Sequence, residues 1–323
     1  MVDPFYLLEK CELCPRRCRV NRLKGERGYC GVGDEILIAH YGPHHGEEPP
    51  ISGTNGSGNI FFSSCNLRCI FCQNYQISHG RTGDRFSVKE LTEIFFRLEQ
   101  TGCHNINLVS PTPYAPFIAL AVSEAKRQGI GIPFVYNTNA FENVETLRSL
   151  DGLVDIYLPD FKYWSPKIAA KLSDAPLRHD YPDCARLSII EMQQQVGNLV
   201  IQDGLAIKGL LIRHLVLPGG LAGSGKVIGW IRDALGADTY ISLMSQYCPL
   251  HEADAYPPLK RRVRQDEYDR LVTLLLDNGF ENVFIQELDS APLLVPDFEK
   301  EKPFEAESGE QRGVNTEVVS RKG

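Results

Sequence analysis

Residues 59–74 read N-I-F-F-S-S-C-N-L-R-C-I-F-C-Q-N, an apolar run that ends in three cysteines. Ile60, Phe61 and Phe62 make the run a buried-strand candidate, and Cys65, Cys69 and Cys72 follow it as a C-x3-C-x2-C array. Three thiolates so closely spaced on one loop can wrap a single iron–sulfur cube. A [4Fe–4S] cluster normally takes four cysteines, and no fourth cysteine lies near this loop. One iron is then left open to a small molecule. A structural zinc site wants a fourth protein ligand, and a disulfide leaves an odd thiol, so the open cluster is the preferred reading.

The chain has 323 residues, 43% apolar and 23% charged. That is ordinary for a globular protein, with room for one large domain or two modest ones. A net charge of −7 and a pI near 5.7 argue against nucleic acid or an anionic membrane as partner. The basic runs at 16–19 and 260–264 read as solvated faces. The amino-terminal residues lack a basic and then apolar secretory pattern, and no uncharged apolar stretch approaches the ~20 residues of a membrane span. Clustered cysteines without a secretory signal fit a reducing cytoplasm and metal ligation.

Upstream of the loop, residues 1–50 form a cysteine-rich extension with the spacing Cys11-x2-Cys14-x3-Cys18-x11-Cys30. Pro15 and Gly31 let the chain turn tightly, so backbone N–H groups can point at the sulfurs. Four such cysteines make a complete metal site: zinc, a single iron, or a second and closed [4Fe–4S] cluster. The spacing does not choose among them. His44 and His45 read as an exposed pair in a loop that runs on through Glu47 and Glu48.

Downstream, strands and helices alternate to about residue 290. Ser87 and Glu90 make a capping box for a helix through Gln100. Strands are expected near 105–110, 132–136, 153–158, 210–217, 239–244 and 282–286, and helices near 116–128, 144–150, 165–195, 226–235 and 265–276. Strict alternation predicts a parallel sheet with right-handed crossovers in residues 51–290, closing partly or fully into a barrel. A doubly wound open sheet is the rival, and periodicity does not separate the two. Residues 291–323 are poor in apolar side chains and read as a disordered tail. The run Gly220–Lys226 nearly matches a phosphate-binding loop, but Val227 stands where the motif needs a hydroxyl for Mg2+. Cys103, Cys184 and Cys248 stand alone and read as buried structural thiols.

Ligands in α/β folds bind at the carboxyl ends of strands, and here each predicted strand end carries polar residues. Gln73 and Asn74 follow the cysteines; Ser110, Thr112 and Tyr114, then Asn137, Thr138 and Asn139, then Asp160 and Lys162 follow the next three strands. Arg213 and His214 lie in the fifth, and Ser245, Gln246 and Tyr247 follow the sixth.

The cysteine array with Phe71 before its last member resembles the signature of radical S-adenosylmethionine (SAM) enzymes. Within that group, Gly53–Gly58 ahead of the strand, the 65–74 loop, the 136–139 and 160–162 strips, and Arg213 ahead of Pro218-Gly219 resemble the glycyl-radical-enzyme activases, including pyruvate formate-lyase activating enzyme. The head cysteines bring the PflX-like group nearest. The resemblance implies a partial (β/α)6 TIM-like barrel, a [4Fe–4S] cluster on Cys65, Cys69 and Cys72, and SAM across the mouth. It implies Phe71 beside the adenine, Lys162 at the SAM carboxylate or ribose, and Asp160 and Asn137 around the same ligand. Asn74, Asn139, Arg213 and Thr112 complete the expected set, Thr112 standing in for a Gly-Gly-Glu that here reads Ser110-Pro111-Thr112. Asn137 replaces an aspartate, and Ala140 a glycine.

Such an enzyme cleaves SAM reductively to methionine and a 5′-deoxyadenosyl radical, which takes hydrogen from a substrate. A flavodoxin- or ferredoxin-type protein supplies the electron, and no separate acid or base is expected. The implied substrate is a glycyl-radical protein; the alternatives are a small molecule or another protein. A non-catalytic metal-binding or electron-transfer protein is the third reading, which the open three-cysteine array disfavours.

Overall fold

The computed structural model describes residues 5–288, 295–300 and 302–304, and the backbone of 316–319. Its strands are β1 (Ile36–His44), β2 (Ser57–Phe62), β3 (Asp84–Phe86), β4 (Ile106–Val109), β5 (Phe134–Thr138), β6 (Ile156–Pro159), β7 (Val200–Gln202), β8 (Leu205–Leu215), β9 (Tyr240–Met244), β10 (Val283–Gln286) and β11 (Thr316–Val319). The helices are α1 (Tyr6–Glu9), α2 (Pro49–Ser52), α3 (Tyr75–Ser78), α4 (Val88–Gln100), α5 (Ala115–Arg127), α6 (Val144–Arg148), α7 (Pro166–Ser173), α8 (Tyr181–Val196), α9 (Ser224–Leu235) and α10 (Gln265–Asp277).

One sheet runs in the order β11-β10-β9-β8-β6-β5-β4-β2-β1-β3, with β7 hairpinned onto β8. From β2 to β10 the neighbours are parallel and follow chain order without reversal. A doubly wound sheet must reverse its strand order at a switch point. This one never does, so right-handed crossovers place the crossover helices on the same face and the sheet curls into a partial barrel. Antiparallel β1 and β3 extend one side and antiparallel β11 the other, and among the described residues the ends do not pair.

Strand side chains alternate between two cores, as a period of two requires. Ile60, Phe62, Ile106, Leu108 and Phe134 face outward onto Leu91, Phe95, Ile118 and Val122 of α4 and α5. The capping box at Ser87 and Glu90 starts α4 as expected. Tyr136, Tyr157, Leu210 and Ile212 face α8 and α9. On the inner face, Val135, Ile156, Leu158, Leu211 and Phe284 pack around Ile51 of α2. The segment 45–53 therefore lies inside the barrel and plugs its amino-terminal end. The helical region expected over 165–195 consists of two helices: α7 stops where Asp174 takes left-handed backbone (φ +51°), and Pro176 lies between it and α8.

The head is tied to the barrel by side chains from both. Arg16 Nε donates to Asn66 O and Arg16 Nη2 to Asp174 O, each at 2.6 Å. Thr146 Oγ1 donates to Leu13 O at 2.8 Å, and Asn143 to Glu12 O. Of the compositional tail, Phe298 and Phe304 pack their rings on Phe61, with centroids 5.4 and 5.2 Å away. Those two aromatics are outvoted in an average dominated by charge. The rest of 291–323 apart from 295–300, 302–304 and 316–319 lies outside the described residues. Among the described residues no helix is long and apolar enough to cross a membrane.

Candidate active site

The loop after β2 begins with left-handed Ser64 (φ +72°) and is stapled to the end of α7. Arg68 N–H donates to Ser173 O at 3.0 Å and Ile70 N–H to Leu172 O at 2.9 Å. Asn66 Nδ2 donates to Phe141 O at 2.7 Å. So held, Cys65, Cys69 and Cys72 line a cavity of about 220 Å3 at the carboxyl ends of the strands.

Each sulfur has its own donor. Asn139 Nδ2 lies 3.3 Å and Leu67 N–H 3.4 Å from Cys65 Sγ; Ser173 Oγ lies 3.0 Å from Cys69 Sγ; Ser78 Oγ lies 3.2 Å from Cys72 Sγ. Burial pushes the Cys69 thiol up to about 12, against the pull of Lys162, and raises Cys72 as well. Thiols in that state become ligands when a bound cation displaces their protons to solvent. Donor-flanked sulfurs on one loop suit the anionic sulfur of a cluster. Three cysteines on the loop fit a cluster with one open iron, whereas a structural zinc would take a fourth protein ligand.

Phe71, Asn74, Asn137, Asn139, Asp160, Lys162 and Arg213 all line the same cavity. Phe71 is held edge-to-face by Tyr247, with centroids 5.6 Å apart. Lys162 pairs with Asp160; burial disfavours its charge, but Asp160 and the nearby thiols hold its pKa above the usual lysine value. Buried Tyr181 ties the strip together: its hydroxyl accepts from Lys162 N–H at 2.9 Å and donates between Asp160 O at 2.7 Å and Asn139 O at 2.9 Å. Ser110 and Ala140, where the activases carry glycine, both have left-handed backbone (φ +59° and +60°).

Thr112 is not brought to this cavity. It lines the head cavity instead, and its Oγ1 donates to Glu142 Oε1 at 2.6 Å. The 3-10 turn Thr112–Tyr114, opened by Pro111, swings the hydroxyl away from the strand end. Arg213 reaches the cavity with its donors engaged: Nε donates to Glu48 Oε1 at 2.8 Å and Nη2 pairs with both Glu47 and Glu48. Tyr114 and Ser245 spend their hydroxyls on backbone oxygens, and His214 faces outward between Phe161 O and Ser224 Oγ.

The loop expected to be exposed is the largest correction. His44, Glu47 and Glu48 line the cavity. Asn59 and Asn107, pointing inward from β2 and β4, donate to Glu47 Oε1 at 2.6 and 3.0 Å. Burial alone would raise the Glu47 carboxyl, but Arg213 overrides it and the result is about 2. A Glu-Glu pair beside Pro-Pro looks like solvated loop; an inward-facing arginine six strands' worth of chain later is the signal that pairs with it. Cys248, read as structural, and Phe304 also line the cavity.

Cys11, Cys14, Cys18 and Cys30 line a second cavity together with Arg16, Arg22 and Asn66.

The model of the Radical SAM superfamily matches residues 59–182. An uncharacterized protein of Methanocaldococcus jannaschii is 30% identical over 278 residues, covering 83% of this chain and 75% of that protein. A second uncharacterized protein of that organism is 24% identical over 294 residues, covering 85% and 80%. Among solved structures, the FeFe-hydrogenase maturase HydG from Carboxydothermus hydrogenoformans aligns with a TM-score of 0.48 at 14% identity, over 69% of this chain and 50% of that one. Streptococcus suis SuiB bound to precursor peptide SuiA aligns with a TM-score of 0.48 at 14% identity, over 74% and 50%. This chain spans about half the length of each of those two structures.

Proposed function

We propose that this chain, which belongs to the radical SAM superfamily, is an enzyme that generates a radical on a substrate seated at the mouth of the barrel. The observation that carries the reading is the set of three donor-flanked thiols opening on a polar cavity with no fourth cysteine on their loop. The cluster and SAM, when bound, supply a one-electron cleavage to methionine and a 5′-deoxyadenosyl radical. The chain's own residues orient and shield. Lys162 offers a cation to the SAM carboxylate or ribose, held in place by Asp160 and Tyr181. Phe71 offers an aromatic face to the adenine, and Asn74, Asn137 and Asn139 offer amide groups. Phe61, Val109, Leu215, Met244 and Phe304 give the cavity apolar walls that keep water from the radical.

The plug at 45–53 closes the floor, so substrate and SAM enter from the same side. That access suits an extended loop of a protein, and a glycyl-radical enzyme is the first substrate class to test. An oxidoreductase role of the activating type, cytoplasmic and served by a flavodoxin- or ferredoxin-type donor, goes with that choice. The head cysteines make a second metal site in this reading, outside the barrel cavity.

Anaerobic reconstitution followed by dithionite tests the proposal. Release of 5′-deoxyadenosine from SAM is expected, with loss in Cys65→Ala, Cys69→Ala and Cys72→Ala. A protein with a filled cluster that leaves SAM intact, or cleavage that survives those substitutions, sinks the reading. Deuterium transfer from labelled extract into 5′-deoxyadenosine then identifies the hydrogen donor.

A further inference from the structure

The barrel is open on one side, and part of the carboxyl-terminal chain reaches across the opening. β10 and β2 stand with five strands between them in the sheet order, and the sheet ends do not pair among the described residues. Residues 295–300 and 302–304 belong to the connection from β10 to β11, at one end of the sheet. They dock near the other end. Phe304 packs its ring on Phe61 of β2 and His44 of β1, with centroids 5.2 and 4.4 Å away, and Phe298 meets Phe61 edge-to-face at 5.4 Å. Phe61, His44 and Phe304 all line the active-site cavity. The segment is therefore the cavity wall on the side that the sheet leaves open.

Its attachment is made by side chains. Among the described residues no backbone–backbone hydrogen bond joins 295–300 to a strand or helix. Asp297 N–H donates to Pro303 O at 2.9 Å and Lys300 N–H to Asp297 O at 3.1 Å, so the segment is folded on itself. The Gln76 amide clasps it to the body: Nε2 donates to Asp297 Oδ1 at 3.1 Å, and Oε1 accepts from Phe298 N–H at 2.9 Å. Gln76 lies on α3, two residues before Ser78, whose hydroxyl is 3.2 Å from Cys72 Sγ. The clasp thus grips the cysteine loop's own helix. One amide and two half-buried rings can let go without breaking a sheet ladder, as segments of low local stability do.

We propose that the segment carrying Phe298 and Phe304 is a gate: it lifts from Phe61 and His44 to admit SAM and substrate, and closes over them to keep water from the radical. The inference rests on the reading that the chemistry takes place in this cavity.

The test uses the full chain, reconstituted without oxygen. In amide hydrogen exchange followed by mass spectrometry, peptides covering 295–304 exchange faster than those of β2 and slow down when SAM is added. Gln76→Ala and the Phe298→Ala/Phe304→Ala pair abolish that slowing. Both speed iron release to the bulky chelator bathophenanthroline disulfonate by about tenfold, equivalent to ~1.4 kcal/mol and to the scale of one aromatic pair. Their urea midpoints stay with the parent, because the opening is local. A segment that exchanges as slowly as β2 and ignores SAM, iron release at the parent rate, or a midpoint that falls with the substitutions overturns the proposal. If SAM does not bind, the chelator rates and midpoints decide alone. A gate that answers SAM without forming 5′-deoxyadenosine stands while the radical reading falls; cleavage beneath an unresponsive segment does the reverse.

Discussion

Replacing Arg213 with Met should turn the acid-side stability profile of this protein around. In the native chain Arg213 is 8% exposed and pairs with Glu47 and Glu48, whose side chains are 8% and 3% exposed. The Glu47 carboxyl falls from 4.5 to about 2, which corresponds to roughly 3 kcal/mol at ~1.36 kcal/mol per pH unit. The loss on removing one partner of a buried pair, about 3–5 kcal/mol, is of the same size. A depressed carboxyl stabilises the fold above its unfolded value, so the native protein loses this contribution as pH falls from about 4.5 toward 2. Without Arg213 the burial remains and the attraction is gone. The Glu47 carboxyl then rises above its unfolded value, and the variant becomes less stable as pH increases through the neutral range. Urea unfolding of Arg213→Met and the parent at pH 5 and pH 8 should give a deficit near 3 kcal/mol that widens at the higher pH. A deficit under about 1 kcal/mol at both values, with SAM binding lost, would show instead that Arg213 serves the ligand and not the plug.

Glu142, 2% exposed, is raised to about 7 by burial against the pull of the Thr112 and Thr138 hydroxyls. A raised carboxyl stabilises below its unfolded value and loses that contribution as pH climbs from 4.5 to 7, roughly 3 kcal/mol in all; Glu142→Gln should flatten this slope in urea midpoints, and an unchanged slope would contradict it. Tyr181→Phe leaves the Asp160 and Asn139 carbonyls without their shared donor, for a loss of about 1–3 kcal/mol by denaturant titration and weaker SAM binding by calorimetry. Gly209 has φ +119°, and a Cβ would lie 2.3 Å from Asn198 O and 2.4 Å from Leu199 Cα. Gly209→Ala should therefore lower stability by about 2–3 kcal/mol or more, and a neutral result would mean that the 198–199 backbone can move.

Local patterns were readable where one stretch of chain decides the outcome. Ser87 and Glu90 announce α4 by themselves, because both partners of the capping box lie within one turn. The cysteine loop states its own spacing, and Asn137, Asp160 and Lys162, each at a strand's carboxyl end, line one cavity as that placement requires. Strand order was not readable, since helices look alike whichever face of a sheet they cover. Thr112 and Tyr114 follow a strand just as Asn137 does, but a proline-led 3-10 turn rotates them away. Asp203-Gly204 is a two-residue hairpin signal between β7 and β8, but strands this short show no periodicity of their own. Glu47 and Glu48 became legible only with Arg213 beside them, a pairing separated by more than a hundred and sixty residues.

The plug at 45–53 separates two jobs that a barrel usually gives to the same strands. The sheet and helices carry stability, while the depth of the chamber is set by one short segment clasped through Arg213. Lengthening or thinning that segment changes how far a guest can sink without touching a strand or the cysteine loop. For evolution, and for an engineer grafting a new substrate onto this scaffold, the floor is an adjustable part and the walls are not.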